Sequence, residues 1–137
     1  MILGIGTDIV DARRIQAAMD RNPDKFAKRI FSDAEITAAK LSSNQANYFA
    51  KRFAVKEAVY KALSVSGVSG CGWREAEILS APNGAPIVNL TGRCKTALET
   101  MTPDGYKASL SVSLSDEAPY ALAFIVISAV PAEWIKP

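Results

Sequence analysis

Residues 2–9 alternate so that Gly4, Gly6 and Asp8 share one face while Leu3, Ile5, Thr7 and Ile9 share the other, which is the period of a strand. Glycines inside a strand mark a lane where another backbone or a ligand comes close. Asp8 stands at the end of that lane. A helix is predicted over about 12–20 and is interrupted at Pro23; 26–30 continue as another helical piece. Ser32-Asp33-Ala34-Glu35 has the spacing of a capping box that opens a short helix. Residues 47–63 contain no Gly or Pro and many alanines, the strongest helical pattern in the chain. Their apolar positions, Phe49, Phe53, Val55, Val59, Tyr60 and Leu63, do not fall on one stripe, so more than one side of this helix should be covered.

Ser and Gly replace periodicity over 64–72, which reads as a loop. Residues 75–80 and 87–90 suggest two strands joined through the Pro82–Pro86 turn signal. A helix is expected over 91–101, a turn at 103–105, and strands over 106–114 and 120–130. The sum is an α+β fold with a long central helix packed on a largely antiparallel carboxy-terminal sheet. A single domain over 1–137 is expected, with 131–137 as a loose tail.

Composition narrows the chemistry. The 137 residues are 49% hydrophobic and 22% charged, as in ordinary folded proteins rather than disordered ones. The amino terminus does not read as a secretory signal, and the longest apolar run, 120–130, is far short of a spanning helix, so a cytoplasmic address and no membrane partner are expected. Histidine is absent, which removes the commonest catalytic base and every triad that uses imidazole. Cys71 and Cys94 are too few for a four-thiolate zinc site and read as small packing residues. Net charge is only +2, but residues 1–63 hold 11 basic and 7 acidic side chains against 5 and 7 in the remainder. Arg13, Arg14, Arg21, Lys25, Lys28 and Arg29 crowd one stretch, which reads either as a surface for an acidic partner or as a solvated helix face.

Two carboxylates, Asp8 and Glu57, sit inside otherwise apolar elements. An uncompensated buried charge costs several kcal/mol, far more than an exposed ion pair returns, so a bound cation or a polar ligand is called for. Ala50, Ala54, Glu57 and Lys61 follow one stripe of the long helix, with Arg52 and Lys56 on a second. A hard cation such as Mg²⁺ takes one or two protein carboxylates and completes its shell with water and substrate phosphates. Asp8 and Glu57 meet that demand, Lys61 can neutralise charge on a phosphoryl group, and Arg52 or Lys56 can hold further phosphate oxygens. A helical ion pair accounts equally for Glu57 and Lys61, and a capping role for Asp8. Gly4-Ile5-Gly6 is no dinucleotide fingerprint, since the third glycine position is Ile9. Ser109, Ser111, Ser113 and Ser115 share a strand face, where hydroxyls either meet phosphate or simply cover the sheet.

These segments resemble the holo-acyl-carrier-protein synthases, the short class of 4′-phosphopantetheinyl transferases. The resemblance covers GIGTDIVDARRI, FAKRFAVKEAVYKAL, WREAEI with NGAP, and SVSLSDEAPYALAFIVI. It implies Mg²⁺ held by Asp8 and Glu57, coenzyme A as donor and apo acyl carrier protein as acceptor, in support of fatty acid biosynthesis. A carrier serine would attack the β-phosphate of coenzyme A and release adenosine 3′,5′-bisphosphate, with Glu57 or a metal-ordered water accepting the proton. Coenzyme A contacts are implied for Arg52, Lys56, Lys61, Asn83, Gly84 and Pro86. The resemblance further implies a homotrimer with sites between subunits, and carrier docking on Arg14, Arg21 and Lys25. This chain departs from many members in three places: Asp116 follows Ser115 where histidine is common, Ser64 replaces glycine, and Ala85 replaces lysine. An ionised Asp116 cannot donate to the coenzyme A phosphate as that histidine does, and Ser113 is a candidate to donate in its place. Competing readings are another Mg²⁺-dependent phosphotransfer or diphosphate-cleaving enzyme, and a non-catalytic anion-binding module. The basic stretch has too few aromatics to stack nucleic acid.

Overall fold

The structure is a computed structural model and describes residues 1–136. Ten elements follow in order: β1 (Ile2–Asp11), α1 (Ala12–Arg21), α2 (Pro23–Ile30), α3 (Asp33–Lys40), α4 (Gln45–Leu63), β2 (Ala76–Ser80), β3 (Pro86–Leu90), α5 (Gly92–Met101), β4 (Tyr106–Glu117) and β5 (Tyr120–Pro131). The strands form an antiparallel three-stranded sheet in the order β1-β5-β4 and an antiparallel β2-β3 hairpin. α4 lies between them.

Local chemistry explains the breaks. The Asp11 carboxylate accepts from Arg13 N–H to cap α1, and Asn22 accepts from Lys25 N–H with Pro23 in the first turn of α2, where its missing N–H costs nothing. The expected capping box is present: Ser32 accepts from Glu35 N–H, and Glu35 accepts from Ser32 N–H. Asn44 caps α4 through Asn47 N–H, which starts that helix earlier than its apolar pattern suggests.

α4 is covered on several sides. Ala46, Phe49, Ala50, Ala54, Val55, Ala58, Val59, Ala62 and Leu63 are buried, under β1 and β5 on one side and α1, α3 and β2 on others. Alternation along β5 sends Ala121, Ala123, Ile125, Ile127 and Ala129 into this core. The opposite face of the sheet leaves Ile5, Ile9, Tyr120, Leu122 and Phe124 exposed. The tail expected to be loose is ordered at its start: Pro131 ends β5, and Ala132–Trp134 make one 3-10 turn with Ala132 N–H bonded to Gly105 C=O. Pro137 lies outside the described residues. Among the described residues no helix is long and apolar enough to cross a membrane.

Candidate active site

The glycine lane of β1 runs against α4. A Cβ at Gly4 would collide with the carbonyl of Ala62, and one at Gly6 with that of Ala58. Two residues along a strand span about the same length as four along a helix. The matched steps Gly4 to Gly6 and Ala62 to Ala58 therefore bring Asp8 beside the turn of α4 that carries Ala54 and Glu57. Two observations fit that placement. The charge of Asp8 acts on Glu57, whose carboxyl is raised from its ordinary value first by burial and then by Asp8, with Lys61 and Arg14 opposing. Lys61 Nζ donates to Asp8 Oδ1 at 3.1 Å and to the carbonyl of Thr7 at 2.9 Å. The structure thus brings Asp8 to Lys61 and within electrostatic reach of Glu57.

The second stripe of α4 points elsewhere. Lys56 is fully buried; its Nζ donates to Glu35 Oε1 at 2.9 Å, Trp73 C=O at 3.0 Å and Ala76 C=O at 2.6 Å. All three ammonium hydrogens are used, so the reading of Lys56 as a phosphate or coenzyme A ligand is corrected: it is a core lysine. Burial lowers its pKa from the ordinary lysine value, and Glu35 opposes that shift. Arg52, one turn earlier on the same stripe, faces the end of β2. Its guanidinium lies 3.8 Å above the Tyr48 ring, and its Nη2 donates to Ser80 Oγ at 3.2 Å. Its Nε is buried without a partner, so one strong donor is uncommitted beside the β2-β3 turn.

In that turn the Asn83 carboxamide oxygen accepts from Ala85 N–H, and Gly84 takes φ 85°, a conformation glycine adopts without strain. Pro86 opens β3. Pro86 pairs with Ser80, the partner of Arg52, whereas Lys61 is the residue of α4 bonded to Asp8. Within one chain, therefore, the Arg52 end of the hairpin and the Asp8 cluster meet different residues of α4. Ser113 is exposed on the outer face of the sheet, opposite Phe124. Asp116 takes up interactions the sequence did not disclose: its Oδ2 accepts from Asn47 Nδ2 at 3.1 Å and lies 3.9 Å from Lys51 Nζ.

On the α1 and α2 side, two adjoining grooves of about 480 and 320 Å³ share an apolar floor of Phe26, Ile30 and Phe53. Arg14, Arg21, Lys25 and Arg29 stand on their walls. Arg29 joins the three expected docking residues because it falls four residues after Lys25 and therefore on the same helix face. Arg13 is drawn away into a pair with Asp11 at 2.7 Å.

Relatives match along almost the whole chain. The holo-[acyl-carrier-protein] synthase of Methylorubrum extorquens strain PA1 is 44% identical over 131 residues, 96% of each chain. The crystal structure of the Neisseria meningitidis holo-[acyl-carrier-protein] synthase matches with a TM-score of 0.77 at 34% identity, covering 93% of this chain and 99% of that one. The Helicobacter pylori holo-[acyl-carrier-protein] synthase, solved in complex with coenzyme A, matches with a TM-score of 0.73 at 33% identity, covering 90% and 99%. With residues 4–125 matching the family model as well, the chain belongs to the 4′-phosphopantetheinyl transferase superfamily.

Proposed function

We propose that this protein transfers the 4′-phosphopantetheine group of coenzyme A to a serine of apo acyl carrier protein, giving holo carrier protein and adenosine 3′,5′-bisphosphate. What supports this reading is the glycine lane packed on α4, with Lys61 bonded to Asp8 and the charge of Asp8 acting on Glu57, in a chain whose relatives are holo-[acyl-carrier-protein] synthases. Among the described residues no group of three or more His, Cys, Asp and Glu side chains gathers as a metal cage. Two carboxylates repelling each other in a partly buried place fit a hard cation that also takes water and phosphate oxygens. Asp8 and Glu57 would hold Mg²⁺, which when bound offsets the charge of the diphosphate and aligns it.

The chain's own groups supply the rest. Lys61 has an exposed stem and shares its ammonium between Asp8 and a carbonyl, so it can shift to a diphosphate oxygen at small cost. Its charge then stabilises the leaving bisphosphate. Glu57, raised in pKa, suits the role of accepting the serine proton directly or through a water it orients. Arg52, with the Asn83–Gly84 turn and Pro86, would receive the nucleotide end.

Sites between subunits of a homotrimer reconcile those two clusters, since a neighbouring chain can bring one beside the other. The exposed apolar face of Ile5, Ile9, Leu122 and Phe124 supports such an assembly. The basic-walled groove of Arg14, Arg21, Lys25 and Arg29 would dock an acidic carrier helix, its apolar floor taking a hydrophobic side chain. A cytoplasmic address and a place in fatty acid biosynthesis accompany this activity.

Incubation with coenzyme A, Mg²⁺ and apo carrier protein should add one phosphopantetheinyl unit to the carrier by intact mass. Coenzyme A cleavage without gain on any carrier would instead favour a diphosphate-cleaving enzyme. Arg21→Glu should raise the KM for carrier protein by about tenfold and leave that for coenzyme A unchanged, as removal of a charged group from an encounter surface requires.

A further inference from the structure

The two cysteines are separated in sequence by the whole β2-β3 hairpin, yet the residues next to them are held on one side chain. Cys71 is half-buried in the loop that leaves α4, and Cys94 is fully buried in the first turn of α5. Glu75 builds the juxtaposition. One of its carboxylate oxygens accepts from Gly72 N–H and the other from Arg93 N–H, so the residue after Cys71 and the residue before Cys94 are clipped to one side chain. Two more ties fix the same loop: the Arg93 guanidinium donates to Ser69 C=O, and the Tyr60 hydroxyl donates to Gly72 C=O. Gly92 takes φ 54°, and a Cβ there would run into the Glu75 carboxylate. The clip is thus specified from both sides.

Within it Cys71 lies near enough to act on the Cys94 thiol. Burial, followed by the influence of Cys71, pushes the Cys94 thiol far above the ordinary cysteine range. No part of the proposed transfer uses either sulfur. Two thiols and one fully committed carboxylate do not make a metal site.

We propose that Cys71 and Cys94 form an oxidisable dithiol which a hydroperoxide converts to a disulfide, stapling the loop after α4 to α5. Cys71, the more accessible sulfur, attacks one peroxide oxygen as thiolate; the O–O bond breaks, Cys71 becomes the sulfenic acid and hydroxide leaves to be protonated as water. The sulfur of Cys94 then displaces the sulfenic hydroxyl, its proton leaving with that hydroxyl as a second water. The pair loses two electrons and the peroxide gains them. Because Cys94 is buried and protonated, it serves as the resolving thiol and not as the attacking one. In a reducing compartment the pair rests as the dithiol, and such disulfides, where they form, are transient.

The test uses the reduced full-length protein exposed to a few equivalents of hydrogen peroxide in thiol-free buffer. The expected result is a mass loss of two hydrogens, a cross-linked peptide containing Cys71 and Cys94 in a non-reducing digest, and reversal by dithiothreitol. Closing a loop of roughly two dozen residues should raise Tm by about 5–10 °C. Cys71→Ser, a change at a half-exposed position, should abolish both the mass loss and the Tm rise while the protein stays folded. The proposal is overturned if Cys71 gains two or three oxygens while Cys94 remains a free thiol. It is also overturned if both thiols still titrate after denaturation, or if the cross-link joins two chains. Each outcome is read on mass and Tm alone, so it stands apart from the activity assay.

Discussion

Glu57 is the residue on which acidity, stability and metal binding meet. Its folded pKa is raised above 4.5 by burial and by Asp8. The folded state therefore binds more protons than the unfolded chain between 4.5 and that raised value, and stability falls as pH rises through the window. A divalent cation favours the carboxylate, so Mg²⁺ affinity should increase with pH across the same interval. Glu57→Gln should leave the metal-free Tm at pH 7 equal to or above that of the parent while eliminating the Mg²⁺-dependent rise. Thermal scans with and without MgCl₂ at pH 5 and 7.5 check both; a surviving Mg²⁺ response in the variant would remove Glu57 from the metal site. Gly6 has the opposite character, since its contribution is an absence. Gly6→Ala forces β1 off the carbonyl of Ala58, at a cost of about 1–3 kcal/mol in overpacking. A fall in Tm of several degrees should accompany a larger loss of turnover, because the same spacing sets Asp8 against Glu57.

At the scale of elements, α4 is stabilised through a buried ion pair as well as through its alanines. Lys56→Met would leave Glu35 charged and unpaired in the core, and a loss of about 3–5 kcal/mol is expected by chemical denaturation. The double variant Glu35→Leu with Lys56→Met should recover only part of it: the unpaired charge is gone, but the Ile78 N–H and the Trp73 and Ala76 carbonyls lose the side-chain partners that the pair supplied. This pair also marks where the sequence ceased to be readable. The capping box at Ser32 and Glu35 was visible because a local bond obeys local spacing. The other engagements of Glu35, with Lys56 Nζ and with Ile78 N–H, join distant segments and leave no periodic trace. For the same reason the i,i+4 spacing of Arg52 and Lys56 indicated a shared stripe without saying that β2 would cover it. The glycine lane was legible as a place of close backbone approach, and the backbone that fills it is the Ala58 to Ala62 turn of α4. Which turn it would be was not legible, since the stripe read from the sequence was Ala50 and Ala54. The β4-β5 hairpin outran its apolar pattern: Ser115, Asp116 and Glu117 still pair with Leu122, Ala121 and Tyr120, as main-chain bonding is indifferent to side-chain polarity.

For the molecule as a whole, charge and apolar surface occupy different faces. The basic groove lies on the α1 and α2 side, and the outer face of the sheet is apolar with a border of serines on β4. If that face joins subunits and completes the site, Phe124→Glu should lower the assembly mass by sedimentation and reduce turnover in parallel. Full activity in a monodisperse monomer would separate the two.

The tie from Lys61 Nζ to the Thr7 carbonyl bears on handling the protein as well as on its chemistry. β1 ends the sheet order, and an uncovered outer strand invites foreign strands to dock and clump. A lysine head over one of its oxygens blunts that invitation. Truncating Lys61 should therefore shorten shelf life in concentrated solution, visible as rising light scattering, whether or not any substrate is present.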